Sequence, residues 1–540
     1  MTVDPYANLT GKKVRKPRIL SMHQKLGIGA LNGAFEGAGR SHPRQDWVPA
    51  LRSADADLFP DLALGRARSR DIARNGLGKG NLKTLVNHVI GHRGLWPQSR
   101  LSAELFGGNE ELAREAERQI EKVIKRKSKR MDTEGRLSRA QLHRLTFASM
   151  LESGDVGWHL IPGPDGDPII ELIEADRIAT PPTKTTADGV REGVERDARG
   201  VPIAYHVAVT HPGDTFATFR QRQLEFARVP RFDQDGRPRF ILFMEMARPG
   251  QTRGIPEFLG CADRYDDRAQ GVKAALYQAV TSSFLGFTVE QDEHVDDEDL
   301  TLDDEGNQFE EWQYGTIKKL APGQRLTTPN ISRPGPELAN FIQATNGEIG
   351  ASLGMPVEMV SLDFSKTTWH AARQGGLELS RNVRARQEHF VDCGIRLVDQ
   401  ILIENAVLRG EIPAISPELF YSDAEAFLDS LHYQFPVRGL VNPGEETSSA
   451  VKAIDSGLST LAEECAAKGL DWQDVLEQRK RETDTLKRLG FKPVDAGLAV
   501  VLLPDWASES APKEPMPGQE QAPNDPENDP DGDPEEDANQ

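Results

Sequence analysis

The chain has 540 residues, and at about 100–200 residues per domain this length indicates three or four domains. Hydrophobic residues make up 38% and charged residues 28%, a balance that favours an elongated or ring-forming subunit over a compact sphere. The formal net charge of -19 excludes a protein that simply wraps duplex DNA, because phosphate contacts need Lys and Arg.

The negative charge is concentrated in two segments. Residues 511–540 contain ten acids and one Lys, and residues 290–311 contain twelve acids and no Lys or Arg. Basic clusters lie at residues 12–18 and 114–130. The rest of the chain is close to neutral, so any charged surface is expected to be local.

The three cysteines, Cys261, Cys393 and Cys465, are far apart, and no C-x-x-C pair occurs. This pattern argues against a cysteine zinc site and favours a reducing, cytoplasmic compartment. No apolar secretory signal is found at the N-terminus. The longest apolar run, residues 496–503, is too short to span a bilayer.

The N-terminal half begins with an arm and continues with helices. Residues 1–64 are rich in Gly, Pro and charge, and we predict a flexible arm. Apolar periodicity then predicts helices over residues 66–74, 78–90, 112–127 and 137–151. The first two are divided at Asn75-Gly76.

A change of period predicts a β-rich insertion after these helices. Short apolar or alternating runs predict strands over residues 158–161, 169–173, 201–209 and 240–244. Asp-Gly turns separate them.

A long helix follows, from about residue 256 to 284, and it carries a narrow apolar seam. The seam residues recur at spacings of 4-3-4-3-4 and are Phe258, Ala262, Tyr265, Ala269, Val272 and Leu276. Helices that pack side by side use a seam of this kind.

The next elements are a strand, a helix, a loop and a very long helix. We predict them over residues 312–320, 337–353, 354–368 and 369–408. The apolar stripe of the long helix is marked by Val391, Ile395, Val398 and Leu402.

Start signals predict three C-terminal helices. Asn442-Pro443 supplies an N-cap and a Pro at the first helical position, Thr460 with Glu463 forms a capping box, and Asp471 caps the last helix. Gly469 ends the second helix. After residue 504 the chain is rich in Pro, Asp and Glu, and we predict disorder because too little apolar surface is available.

No catalytic motif is present in the sequence. Residues 76–81 resemble a phosphate loop only superficially, and a helix break is favoured there. Neither G-x-S-x-G nor H-E-x-x-H occurs. Asp529, Asp531 and Asp533 alternate as in a calcium loop, but prolines and the lack of flanking helices argue against a metal site. We therefore predict no enzyme activity, no cofactor and no metal.

Several segments resemble the lambda-type phage portal proteins. MARPGQTRGIP at residues 246–256 resembles that family's R-P-G-Q-x-R-G-[VI]-P segment. GEIGASLGMPVEMVS at residues 347–361 is similar to its AxxLGxPYExLS segment, with Val357 where the family usually has Tyr. Residues 363–373 resemble its DxSxxNYSSxR stretch. Further similarity lies in residues 70–91, 197–206 and the C-terminal helices, so the resemblance is collinear over about 65–490.

The resemblance implies an α+β portal fold, mainly helical, with a β-rich wing insertion and a small clip, which assembles as a ring around a central channel. Its parts would be an N-terminal arm (1–64), a wing (65–248), a stem helix (249–284), a clip (285–335), a second stem helix (336–353), a tunnel loop (354–368), a long wing helix with the following segment (369–435), crown helices (436–504) and an acidic tail (505–540).

The resemblance also implies functional residues. The stem seam would pack neighbouring subunits together, and the tunnel loop would meet DNA through Ser365, Lys366, Thr367 and Thr368. Lys366 is the only Lys or Arg between Arg333 and Arg373. A plain interhelical loop in which Thr367 or Thr368 caps the long helix is the alternative. The acidic surface of the clip would be formed by Asp292, Asp296, Asp297 and Asp299.

The implied partners are those of a portal: other copies of the chain, twelve in the capsid; double-stranded DNA without sequence preference; the terminase large subunit; major capsid and scaffolding proteins; and head-completion proteins. No membrane partner is expected. The implied location is the portal vertex of the virion, and the host cytoplasm during assembly. Two alternatives stay open: another capsid or head–tail adaptor protein without a channel and, less favoured, a terminase or nuclease.

Overall fold

The computed structural model describes residues 52–214, 225–284, 288–291, 324–327, 336–436, 443–467, 472–488, 491–496 and 499–504. The chain forms two compact units, Met1–Tyr433 and Gln434–Gln540. In the part of the chain that the structure describes, no helix has the length and apolarity needed to cross a bilayer.

The first unit opens with helices α1, Ala54–Arg74, and α2, Gly76–Val89. The predicted break between them is confirmed, because Gly76 has a φ of 40° that favours glycine. The prediction of an arm up to residue 64 is wrong at its end, since α1 starts at Ala54. Ser53 accepts a hydrogen bond from the Ala56 amide and caps the helix.

Two further helices precede the two sheets. Helix α3 spans Glu110–Lys127 and helix α4 spans Arg139–Ser153, close to the predicted bounds. Helix α4 starts at a capping box between Ser138 and Gln141, which the sequence analysis did not identify.

The predicted β-rich insertion is confirmed and consists of two antiparallel sheets. The strands are β2 Asp155–Pro162, β3 Pro168–Glu174, β4 Val190–Arg191, β5 Val194–Arg196, β6 Pro202–Ala208, β7 Phe226–Pro230 and β8 Phe240–Met244. The three-stranded sheet has the order β3-β2-β8, and the four-stranded sheet has the order β4-β5-β6-β7. Strand β1, Trp96–Ser99, instead pairs with β11, Leu431–Gln434.

A helical hairpin follows the sheets. A 3-10 turn, Glu257–Cys261, leads into α5, Ala262–Phe284, and α6, Pro336–Leu353, packs against α5. Strands β9, Thr288–Gln291, and β10, Gln324–Thr327, pair antiparallel between the two helices. The predicted strand at 312–320 lies outside the described residues.

The predicted very long helix is confirmed in its bounds, with one irregularity. Helix α8, Trp369–Phe390, continues through a π-helical turn, Val391–Ile395, into α9, Arg396–Leu408. All four residues of the predicted apolar stripe are buried. In the π turn, a Cβ at Gly394 would lie 2.6 Å from Phe243 Cζ, so only glycine allows this close packing on β8.

Short elements complete the first unit. Helix α7, Val357–Ser361, lies between α6 and α8, and helices α10, Pro417–Ser422, and α11, Ala424–Asp429, follow α9.

The described part of the second unit contains three helices and a hairpin. The helices are α12 Pro443–Asp455, α13 Leu461–Ala467 and α14 Trp472–Arg488. The predicted capping box of α13 is confirmed, because the Glu463 amide donates to Thr460 Oγ1 and the Thr460 amide to Glu463 Oε2, both at 3.2 Å. Asn442, Gly469 and Asp471 lie outside the described residues, as does the predicted disordered tail.

Only helices were predicted for residues 436–504, and this prediction is wrong at the C-terminal end of the range. Strands β12, Phe491–Ala496, and β13, Ala499–Pro504, form an antiparallel hairpin. The run AVVLLP is rich in valine, and β-branched residues fit an extended chain better than a helix.

A histidine is buried in the core between α4, β2 and α8. His143 is 1% exposed and stacks on Trp158 with 6.3 Å between ring centroids. Burial, and to a lesser extent the charge of Arg139, lower the pKa of His143 well below its usual value. The imidazole is therefore neutral in the folded chain at physiological pH.

The buried His143 gives an expected pH dependence of stability. Below a pH of about 6.5 the unfolded chain binds a proton at His143 that the folded chain does not. This group alone is then expected to reduce the free energy of unfolding by about 1.4 kcal/mol per pH unit. Urea unfolding of the wild type and of His143→Phe at pH 7, 6 and 5 measures the effect. Equal slopes for the two proteins would contradict the prediction.

Candidate functional site

The root of the α5–α6 hairpin is built around a buried ion pair. Arg253 donates to Asp155 from Nε to Oδ2 and from Nη2 to Oδ1, both at 2.7 Å, and both side chains are 0% exposed. Its other N–H groups donate to the backbone oxygens of Ala175, Ile178 and Glu192. All five guanidinium donors are therefore satisfied, which a buried arginine requires.

A second arginine reaches the same carboxylate from α1. Arg66 Nη2 lies 3.1 Å from Asp155 Oδ2, and Arg66 Nε donates to the Ser153 carbonyl oxygen. Burial alone would raise the pKa of Asp155, but the charges of Arg253 and Arg66 outweigh it and hold the pKa below its usual value. The cluster thus joins α1, β2 and the segment that leads into α5.

The residues next to Arg253 have equally specific contacts. The Gly254 amide donates to Asp155 Oδ2 at 2.9 Å, and a Cβ at Gly254 would lie 1.9 Å from the Gly154 carbonyl oxygen. Thr252 donates to the buried Asp55 from its amide and its hydroxyl. The Q-T-R-G part of the motif at residues 246–256 is therefore structural: it fixes the start of the hairpin on the sheet.

The motif was recognised from the sequence, but no role was predicted for Arg253. The sequence did contain one indication of a role for Arg253. It lies between a threonine and a glycine, just before a long helix, and no helical or strand periodicity accounts for a charged residue at that position. Its partner Asp155 is almost 100 positions earlier in the chain, and one sequence alone does not reveal that pairing.

A second set of contacts ties the hairpin root to α8. Arg386 Nη2 lies 2.6 Å from Glu257 Oε1, in the turn before α5, and also donates to the Leu353 carbonyl oxygen at the end of α6. Asn382 Nδ2 donates to the Gly354 carbonyl oxygen at 3.0 Å. The start of α5 and the end of α6, which meet at the root, are therefore both held by one helix.

The predicted seam of α5 is buried only in its first part. Phe258 is 0% exposed and lies in the 3-10 turn, inside its own chain. Ala262 and Tyr265 are half-buried, and the Tyr265 hydroxyl accepts a hydrogen bond from Asn81 at 2.7 Å. The remaining seam residues, Ala269, Val272 and Leu276, are exposed.

The far part of the hairpin presents apolar side chains to the surroundings. Leu276 is 63%, Tyr277 62% and Val280 44% exposed on α5, and Phe341 is 41% exposed on α6. Large apolar side chains that are grouped in this way mark a surface that another molecule covers.

The predicted tunnel loop, 354–368, is not a continuous loop, because it contains the short helix α7; the four residues predicted to meet DNA lie between α7 and α8. Ser365 and Lys366 are exposed, and Thr367 Oγ1 donates to Glu358 Oε1 at 3.1 Å. Thr368 is the N-cap of α8, because its Oγ1 accepts from the Ala371 amide at 3.3 Å. The capping role is therefore confirmed for Thr368, and it leaves Lys366 free to reach a ligand.

The predicted clip residues, Asp292, Asp296, Asp297 and Asp299, lie outside the described residues. Their part in any site stays a prediction.

A group of potential metal ligands lies near the end of β3, formed by Glu174, Asp176 and His211. Arg70 Nη1 already lies 2.5 Å from Asp176 Oδ2, and His211 Nδ1 accepts a hydrogen bond from the Gly213 amide at 2.9 Å. That bond places the ring proton on Nε2, the atom that faces the carboxylates. The group is thus arranged as an ion pair and hydrogen bonds rather than as a metal centre.

The three cysteines, all within the described residues, form no disulfide. Burial raises the pKa of Cys393 to about 11, so its thiol stays protonated at physiological pH. A thiol in this state is a poor nucleophile.

The chain matches a protein family. The family described as "Phage portal protein, lambda family" matches residues 40–387, a range that includes the buried ion pair, the hairpin and the predicted tunnel loop.

The chain is also similar to curated phage proteins. It is 23% identical to portal protein B of Escherichia phage lambda, over 85% of this chain and 90% of that protein. It is 23% identical to the portal protein of Escherichia phage N15, over 88% and 93% of the two chains. It is 25% identical to a probable portal protein of Halomonas phage phiHAP-1, over 85% and 88%. None of these three relatives carries the name of an enzyme.

Solved structures with some likeness come from gene transfer agent (GTA) particles. A chain of the neck of an empty GTA particle, computed with C6 symmetry, has a TM-score of 0.40 and 13% identity, and the match covers 74% of this chain and 92% of that chain. A chain of the neck of a native particle, computed with C12 symmetry, has a TM-score of 0.40 and 12% identity, over 77% and 93%.

Proposed function

The chain belongs to the lambda family of phage portal proteins, and from this premise we propose that its copies form a ring at one vertex of the phage head. DNA passes through the channel of this ring during packaging and again during ejection. The observation that carries the proposal is the family match over residues 40–387, together with similarity over 90% of the lambda portal protein.

The exposed apolar surface of the hairpin supports assembly. Leu276 and Tyr277 are more than half exposed in the single chain, an unfavourable state for large apolar groups in water. A neighbouring hairpin that packs on them removes this area from water. Twelve subunits in the assembled head are the number that we propose.

No nucleotide-binding loop was identified in the sequence, which fits a portal whose packaging motor is a separate protein. We propose that ATP hydrolysis belongs to the terminase large subunit and that this subunit docks on the clip, which head-completion proteins occupy later. Contacts with major capsid and scaffolding proteins place the ring at its vertex. The ring is built into the head in the host cytoplasm and remains in the virion.

Electron microscopy of the purified chain tests the ring directly. We expect closed rings with an axial hole. A head–tail adaptor protein without a channel would give sheets, shells or monomers, and a terminase would hydrolyse ATP in a simple assay of the same preparation. Either result would contradict the proposal.

The tunnel loop gives a prediction for DNA contact. Lys366 is exposed and projects from a loop that Thr368 and Glu358 fix at the start of α8. As a point charge it attracts phosphate without sequence preference. Lys366→Glu is expected to leave ring assembly unchanged and to lower the retention of packaged DNA by about five-fold at low salt, the equivalent of about 1 kcal/mol.

The measurement is DNA retention in assembled heads across a salt series, because screening should reduce the effect at high salt. Lys122→Glu, the same charge change at an exposed position on α3, is the matched control and should behave like the wild type. Normal retention by Lys366→Glu at every salt concentration would remove Lys366 from the channel.

A further inference from the structure

Helix α8 carries an outward-facing stripe of arginines and apolar residues. Arg373, Leu377, Arg381 and Arg384 follow at spacings of 4, 4 and 3, so they share one face of the helix, and all four are exposed. Leu377 is 43% exposed. Trp369, one turn before Arg373, is 46% exposed. Arginine and aromatic residues together are typical of protein interfaces.

Among the described residues, Arg373 is the arginine of this stripe that has no carboxylate partner. The two later arginines pair with glutamates of the same helix, at 2.9 and 2.7 Å. The contact recorded for Arg373 within the described part of the chain is with the Trp369 ring, 5.3 Å from the guanidinium carbon to the ring centroid. The Arg373 charge is thus available to a second molecule.

The first turns of α5 carry the opposite charge on the outer face of the helix. Asp263, Asp266, Gln270, Lys273 and Tyr277 follow at spacings of 3, 4, 3 and 4, and all are exposed, so the acidic part of this face is limited to Asp263 and Asp266. Asp266 accepts a hydrogen bond from Gln270 at 2.6 Å, whereas Asp263 has neither an ion pair nor a hydrogen bond among the described residues. Tyr277 adds an apolar area that is 62% exposed.

Two unlike faces of this kind suit a head-to-tail ring. In a cyclic ring each interface joins two different patches of the same chain. If two α8 stripes faced each other, Arg373 would meet a like charge, whereas the α5 face offers it the carboxylate of Asp263 and the apolar area of Tyr277. The contacts of Arg386 and Asn382 hold both helices at one root, so the separation of the two faces is fixed within each subunit.

We propose that the Arg373 stripe of α8 in one subunit docks on the Asp263 face of α5 in the next subunit. This contact rests on the proposed ring and specifies which surfaces form it.

Charge reversal tests the contact. Arg373→Glu and Asp263→Arg are each expected to raise the protein concentration needed for half-assembly by about ten-fold at low salt, measured by sedimentation velocity. A mixture of the two variants should assemble again, because every interface of an alternating ring then joins unlike charges. Arg136→Glu, at an exposed position outside both faces, should assemble as the wild type does.

The outcomes separate this contact from the ring itself. Wild-type chain that never forms rings would contradict the proposed function. Wild-type rings with normal assembly of both single variants would overturn the contact, and so would two defective variants that remain defective when mixed. Altered DNA retention with normal assembly would assign Arg373 to DNA instead.

If a charge reversal disturbs folding, as circular dichroism would reveal, Arg373→Gln and Asp263→Asn replace the pair of variants. Each is expected to weaken assembly by a smaller factor, and normal assembly of both overturns the contact.

Discussion

Arg253→Met is expected to lower the free energy of unfolding of the first unit by about 3–5 kcal/mol, the cost of breaking a buried ion pair from one side. Asp155 would remain fully buried with Arg66 as its remaining charged partner. Backbone oxygens of Ala175 and Ile178 would also lose a donor. Urea unfolding followed by circular dichroism measures the change.

The same motif supplies a matched control. Arg248 is half exposed and pairs with Asp57 at 3.2 Å, so Arg248→Met should cost less than about 1 kcal/mol. Arg253→Lys keeps the charge but has three donors in place of five, and an intermediate loss is expected. Equal stability of Arg253→Met and the wild type would show that the buried pair does not hold the root.

The second large effect concerns assembly rather than folding. Leu276→Asp is expected to abolish rings while the single chain stays folded. Leu276 is 63% exposed in the chain by itself, so Asp is tolerated there, whereas the ring would bury an unpaired carboxylate at a cost of several kcal/mol. Analytical ultracentrifugation measures the rings, and circular dichroism verifies the fold.

Leu145→Asp is the control for this variant. Leu145 is 46% exposed on α4, outside the hairpin, and the same change there should leave rings intact. Rings of unchanged stability from Leu276→Asp would mean that α5 does not pack between subunits at this position.

The sequence predicted regular elements best where periodicity extends over several turns. The helices at 369–408 and 337–353 were found almost to the residue, because their burial repeats with the period of a helix. The strand at 240–244 was found from its short, continuous apolar run. The start of α1 was missed because Pro60 lies inside the helix and the acids of residues 55–61 obscure the apolar period. The hairpin of β12 and β13 was missed because nearby cap signals favoured helices.

The hairpin root was harder to predict for a physical reason. Arg253 and Asp155 meet through tertiary folding, and neither position has a local pattern that reveals its partner. The seam of α5 was recognised from spacing, but spacing alone does not distinguish Phe258, which is buried in its own chain, from Leu276, which is exposed. Burial in the fold makes that distinction.

The way the hairpin is held also makes it a lever. Arg253, Arg386 and Asn382 act at one end of it, while α5 extends over 23 residues, about 35 Å at 1.5 Å per residue. Tilting such a rod by 5° about its root displaces its tip by about 3 Å, as much as a hydrogen-bond length. A small change of angle at the root therefore becomes a large displacement at the far end of α5. The contacts of the root residues limit the size of that displacement.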